Sequence, residues 1–268
     1  MNAFEHYQSG NLLDAVASAL EEVKRSPLDH GKRGFLCELL CLTGDLERAD
    51  KQLEVLGGQH PLTMPGTSLF RQLIRAEQAR QQFYTEARLP EFLNQGITTE
   101  LGTHLEAAVL LRDGKPTEAA ELLADFEQRR PRRNGICNGQ PFEDFRDLDD
   151  LTASFFEVLT STGKYYWIPF ERIESVEFRP WTQPRDLLWR RAHMSVRDGP
   201  DGEIFLPVLY TGSASDSNDM VRLGRATEWR GEPGSPIRGF GQRTFLVGSE
   251  DRPILDLQTI SISLHRTG

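Results

Sequence analysis

"GNLLDAVASALEEVKRSP" (residues 10–27) is worded as one amphipathic helix with a glycine at its start and a proline at its end. "GDLERADKQLEVLGGQHP" (44–61) has the same length and the same end markers. From Gly10, Ala15 stands at +5 and Pro27 at +17; from Gly44 the same offsets give Ala49 and Pro61, and from Gly114 they give Ala119 and Pro131. Gly10 and Gly44 are 34 residues apart, and Gly44 and Gly114 are 70 apart, close to two such periods. A 34-residue period is that of tetratricopeptide (TPR) helix pairs.

Each marker has a physical reason. Glycine suits the tight turn between two antiparallel helices. A small alanine lets the second helix pack closely on the first. Proline cannot continue the helix, so the chain leaves there for the next pair. Leu40 and Leu110 at −4, with small Cys37 and Ala107 at −7, predict that "FLCELLCLT" and "LEAAVLL" lie in first helices. The first pair has room for only a short one. Between Pro61 and Gly96 the register is lost, yet "TSLFRQLIRAEQARQQFYTEA" (67–87) keeps Leu69, Leu73, Ala76 and Phe83 near one stripe. It reads as a degenerate repeat.

After residue 130 the wording changes. "EQRRPRRNGICNGQPFEDFRDLDD" (127–150) runs from a basic knot (Arg129, Arg130, Arg132, Arg133) into an acidic stretch, with the Gly, Asn and Pro of a linker. It reads as a solvated connector, or as opposite charges folded onto each other. Beyond 150, "FFEVLTSTGKYYWIPFERIESVEF" (155–178), "EIFLPVLY" (203–210), "RTFLVG" (243–248) and "TISISL" (259–264) are strand-like. The expected fold is therefore α+β and multidomain: TPR-like helical repeats over 1–130, a linker over 131–150, and a mainly antiparallel β domain over 151–268.

Composition narrows the function. The 268 residues carry a formal charge of −9, which disfavours wide nucleic-acid contact. No run of 18 apolar residues exists to span a bilayer, and the N-terminus lacks signal-peptide wording. With only three cysteines, a reducing cytoplasm is the expected compartment. No HExxH, G-x-S-x-G or P-loop is present. Cys37 and Cys41 lack further ligands and read as core thiols; Cys137 reads as a thiol that the linker could expose. "RGFGQR" (238–243) reads as a hairpin connection, and Asp216 and Asp219 as parts of a polar loop. Four tryptophans (Trp167, Trp181, Trp189, Trp229) read as core, or, where a pair is exposed, as a protein-binding hot spot. No catalytic residue, metal ligand or cofactor is assigned.

The stretches "YYWIPFERIESVEFRPWTQPRDLLWRRAHMSV", "GEIFLPVLYTGS", "LGRATEW" and "GSPIRGFGQRTFLVG" resemble the ImpE/TagJ family (SciE-type proteins), accessory factors of bacterial type VI secretion. The resemblance covers nearly the whole chain. It implies a non-enzymatic adaptor that binds the N-terminal helix of the small contractile-sheath subunit and is linked to the ATPase that recycles the sheath. A stack of helix pairs would take such a helix in the groove lined by its first helices. Counting from the turn glycines, that groove should present Glu38, Leu42, His104, Ala108 and Arg112, with Arg71 and Arg75 joining from the degenerate pair. The competing expectation is an enzyme with a small-molecule pocket in the β domain, regulated by the helical half.

Overall fold

A computed structural model of the chain describes residues 1–59, 64–93 and 96–263; Pro61, the end marker of the second repeat, lies outside these. The N-terminal helices are α1 (Ala3–Gln8), α2 (Leu12–Arg25), α3 (His30–Leu42), α4 (Leu46–Gln59), α5 (Met64–Glu86), α6 (Thr99–Arg112) and α7 (Pro116–Arg129). Helices α1/α2, α3/α4 and α6/α7 are hairpins turned by Gly10, Gly44 and Gly114, at φ of +84°, +77° and +73°. All three turns carry the same pair of hydrogen bonds. At the second, Asp45 N donates to Leu40 O (2.9 Å) and Gly44 N donates to Cys41 O (3.0 Å). This is a Schellman cap, whose left-handed residue favours glycine because it lacks a Cβ. Ala15, Ala49 and Ala119 are fully buried against the paired helices, as the spacing requires.

The degenerate repeat is not a pair. Its helix is present as the 23-residue α5, but an extended segment follows, and Glu91 of that segment bridges Tyr166 in parallel.

The rest of the chain is mainly antiparallel sheet: β1 (Gly135–Cys137), β2 (Gln140–Phe142), β3 (Phe145–Asp147), β4 (Phe155–Leu159), β5 (Tyr165–Pro169), β6 (Ile173–Phe178), β7 (Trp189–Val196) and β8 (Asp201–Pro207), then the short α8 (Asp219–Arg222), β9 (Thr227–Arg230), β10 (Arg238–Gly241), β11 (Thr244–Val247), β12 (Glu250–Pro253) and β13 (Thr259–Ile262). Eight strands form one sheet in the order β2-β1-β13-β6-β7-β8-β4-β5. β12-β11-β3 form a second sheet, and β10-β9 a third. One face of the large sheet meets the second sheet through Phe145, Phe156, Phe170 and Phe245, whose rings lie 4.9–6.5 Å apart.

The segment expected to be a linker contributes three strands. β1 pairs with β13 (Gly135↔Ile262), and β3 with β11 (Phe245↔Asp147). Three-residue strands broken by Gly, Asn and Pro have the composition of loops; β2 pairs with its neighbour β1, while the other partners of β1 and β3 come far later in the chain, as Gly135↔Ile262 and Asp147↔Phe245. Opposed charges within the stretch fold onto each other, Arg130 gripping Asp144 with two bonds (2.8 and 2.6 Å), whereas Arg133 reaches out of it to Glu100 (2.6 Å) and Glu171 (3.0 Å). Cys137, expected to be exposable, is buried on β1, and burial raises its thiol pKa. "RGFGQR" is largely strand β10, not a turn.

Candidate functional site

The helices expected to line an open groove face the large sheet. On α5, Phe70 meets the Trp189 ring at 5.8 Å and Phe83 meets Trp167 at 4.7 Å. From α6, His104 meets Phe155 at 5.4 Å. The concave face is thus occupied by the protein's own second half.

At the centre of this junction lies a buried ionic network. Glu157 of β4 accepts from Arg80 Nη2 (2.9 Å) and Tyr84 Oη (3.0 Å) of α5, and also from Tyr165 and Arg243. Arg80 continues to Glu77 Oε1 (3.0 Å) and to the Leu209 carbonyl (3.0 Å), and Glu77 accepts from Trp189 Nε1 (3.1 Å). Arg243 also pairs with Asp147 (3.1 Å), which accepts from Tyr210 Oη (2.6 Å). Burial alone would raise the Glu157 carboxyl, but the Arg80 and Arg243 guanidiniums beside it hold its pKa at about 2. Burial pushes Asp147 up to about 6, with Arg243 opposing and Asp149 adding to the rise. These charged residues read as ordinary surface positions in the sequence. No local pattern marks them, because their partners come from distant elements.

The segment 211–226, whose first part (211–220) reads as an ordinary polar loop, clamps the helical half. Asp219 Oδ2 accepts from the Leu12 amide (2.8 Å) at the start of α2, and Arg225 donates to the carbonyls of Tyr7 (2.7 Å) and Gln8 (2.8 Å). An acceptor at a helix N-terminus satisfies an amide that the helix itself cannot. Of the four tryptophans, Trp167 and Trp189 are core, while Trp181 and Trp229 are 52% and 42% exposed.

Of the seven expected groove residues, three are corrected outright: Leu42, His104 and Ala108 are buried, so no partner reaches them in this conformation. Arg112 is engaged internally, donating to the Phe83 carbonyl (2.9 Å) over the Phe83 ring. Glu38 sits near the turn Pro184–Leu187, where burial raises its carboxyl to about 7 against the pull of Arg185. Arg71 holds Asp50 of α4 with two bonds (2.7 and 2.9 Å). Arg75 is exposed, with a long 3.4 Å bond to Gln72. Arg71 and Arg75 share an open cleft of about 350 Å³ between α4 and α5, floored by Leu53, Gly57 and Gly58. Among the described residues, no group of three or more His, Cys, Asp and Glu side chains is placed to hold a metal ion. Nor is any described helix long and apolar enough to cross a membrane.

His104 supports a prediction of its own. Both ring nitrogens are buried between Phe126 and Phe155, with no side-chain partner and only the Leu151 backbone near enough to interact. Burial, then the Arg146 charge, lowers its pKa to about 3. The unfolded chain takes up a proton near pH 6.5 that the folded chain refuses until about 3, so folding weakens as pH falls through that window, by up to about 1.4 kcal/mol per unit. His104→Leu should therefore be about 1 kcal/mol more stable than the parent at pH 7 and gain further at pH 5. Urea unfolding at both pH values tests this; an advantage that stays constant or shrinks on acidification contradicts it.

The comparisons with known proteins fit this architecture. The family model described as ImpE protein matches residues 139–261. The chain is also 28% identical over 260 residues to the type VI secretion system accessory component TagJ of Pseudomonas aeruginosa, covering 97% of this chain and 90% of TagJ. The chain carries an ImpE domain over residues 139–261. The ImpE match begins within the region expected to be a linker, in keeping with its strands. A crystal structure of a Vibrio parahaemolyticus protein superposes on this chain with a TM-score of 0.88, at 28% identity and over 97% of both chains. The arrangement of helices against sheet is thus shared along the full length.

Proposed function

We propose that this protein is a non-enzymatic, cytoplasmic accessory component of a bacterial type VI secretion system. In this reading it is an adaptor that binds the N-terminal amphipathic helix of the small sheath subunit and couples it to sheath assembly or to ATPase-driven recycling. The observation that carries the reading is the similarity to TagJ along 97% of the chain, not to one module alone. An adaptor needs surfaces more than catalytic groups, and the buried charges here bind each other across the junction.

The helix site moves from the concave face to the α4–α5 cleft, where Arg71 and Arg75 remain at the surface and Gly57 and Gly58 thin one wall. A partner helix can seat apolar residues over Leu53 and place acidic residues near Arg75. A labelled peptide of the sheath subunit's N-terminal helix, titrated with the full-length protein and followed by anisotropy, tests this. A Cβ at Gly58 meets nothing within 4 Å, so Gly58→Trp plugs the cleft without disturbing the core. Gly58→Trp and Arg75→Glu should each weaken binding about ten-fold, roughly 1.4 kcal/mol, while His104→Leu leaves it unchanged. Unaltered affinity in both cleft variants removes the site; absence of any binding removes the adaptor reading.

A further inference from the structure

β8 is paired with β7 throughout Asp201–Ser195 to Trp189–Pro207, but with β4 through Leu159↔Phe205 alone. The turn from Thr160 to Lys164 leads β4 away at that point. Among the described residues, the backbone of Asp201–Ile204 therefore has no strand on the side away from β7. Beside this free edge lies a cavity of about 610 Å³, walled by Val158, Ile168, Met194, Val196 and Ile204, with Phe92 opposite.

The register sorts the edge into two faces. Gly202 stands opposite Met194 and Ile204 opposite Ala192, so both face the apolar cavity. A Cβ on Gly202 would meet nothing within 4 Å, so the space reaches the backbone itself. Asp201 and Glu203 stand opposite Ser195 and His193 on the other face. There Asp201 contacts His193 (2.9 Å) and Glu203 pairs with Arg191, with both carboxylates still well exposed to solvent.

Unpaired strand edges are templates for another strand, and nearby pockets for alternate side chains give specificity. We propose that Asp201–Ile204 is a strand-docking site for an extended segment of a protein partner in which apolar and basic residues alternate. Its backbone extends the sheet beside β8. Its apolar side chains enter the cavity, and its Lys or Arg side chains lie across from Asp201 and Glu203, where opposite charges on neighbouring strands attract. Four residues of edge make this a weak and reversible contact. It is independent of the α4–α5 cleft.

The probe is a capped hexapeptide alternating lysine with valine and leucine, compared with a peptide of the same composition in which the lysines are grouped at one end. Binding to the full-length protein is followed by calorimetry, and amide exchange is read at 201–204. The alternating peptide should bind saturably, about ten-fold tighter than the grouped one, and protect those amides. Gly202→Trp, which fills the cavity from the backbone outward, and Glu203→Lys, which reverses a surface charge, should each weaken binding about ten-fold while helix-peptide binding in the α4–α5 cleft persists. Equal affinity for the two peptides overturns the proposal, as does unchanged binding in both variants. Dimerisation of the protein that Gly202→Trp abolishes, without peptide binding, also overturns it, by giving the edge to a second copy of the chain.

Discussion

Replacing Glu157 by glutamine should lower stability by about 3–5 kcal/mol, the largest effect expected of any isosteric change in this protein. The carboxylate is fully buried and faces two guanidiniums, Arg80 from α5 and Arg243 just before β11. An amide keeps the shape but not the charge, so Arg243 is left with Asp147 as its one counter-charge and Arg80 with Glu77. A buried cation short of its counter-charge is far more costly than a missing surface pair, which is worth at most about 1 kcal/mol. For a chain of this size the loss corresponds to roughly 10 °C in unfolding temperature. The pH dependence has a definite sign. Glu157 is held at about 2 in the folded chain, below its ordinary 4.5, so its contribution is complete above pH 4.5 and fades as pH falls towards 2. The difference between parent and Glu157→Gln should therefore be full at pH 7 and smaller at pH 3. Thermal unfolding by circular dichroism decides it: a shift under 2 °C at pH 7, on the same scale, means the network contributes nothing net.

Gly241→Ala should be nearly as damaging, at about 3 kcal/mol or more. Gly241 has φ +97°, and an added Cβ would stand 1.9 Å from the carbonyl oxygen of Ala226. Backbone, not a movable side chain, meets the new methyl, so β10 or its neighbour must shift. The consequences spread along named bonds. Gly241 N donates to Ser213 Oγ (2.8 Å), and Gly241 O accepts from Tyr210 N (3.0 Å), which fixes the start of the loop that caps α2 through Asp219. Amide exchange at Leu12 should accelerate in the variant, more than two hundred residues away in sequence. Gly58→Ala is the matching control: it lies in α4 with open space around it, and should be neutral or slightly stabilising because alanine favours helix. Equal stability of the two variants contradicts the steric account.

The sequence by itself determined whatever depends on neighbours in the chain. The Gly, Ala and Pro offsets announced the helical hairpins because a Schellman turn needs a left-handed residue at one position, and a close crossing needs a small residue at another. In the same way Gly163 of "STGK" (161–164), at φ +80°, makes the turn between β4 and β5. The C-terminal wording carried the resemblance to ImpE, where the domain match lies. What only the tertiary structure decided is which face of the helices meets what. Glu77, Arg80, Glu157 and Arg243 look like solvated charges one at a time, and become a junction because Glu157 bonds to Arg80, 77 positions before it, and to Arg243, 86 positions after it. His104 looked like a groove residue and is instead sealed between Phe126 and Phe155. Periodicity tells which side of a helix is apolar or accessible to packing, but not whether a partner protein or the chain's own sheet covers it. That choice depends on long-range closure, for which local spacing holds no signal.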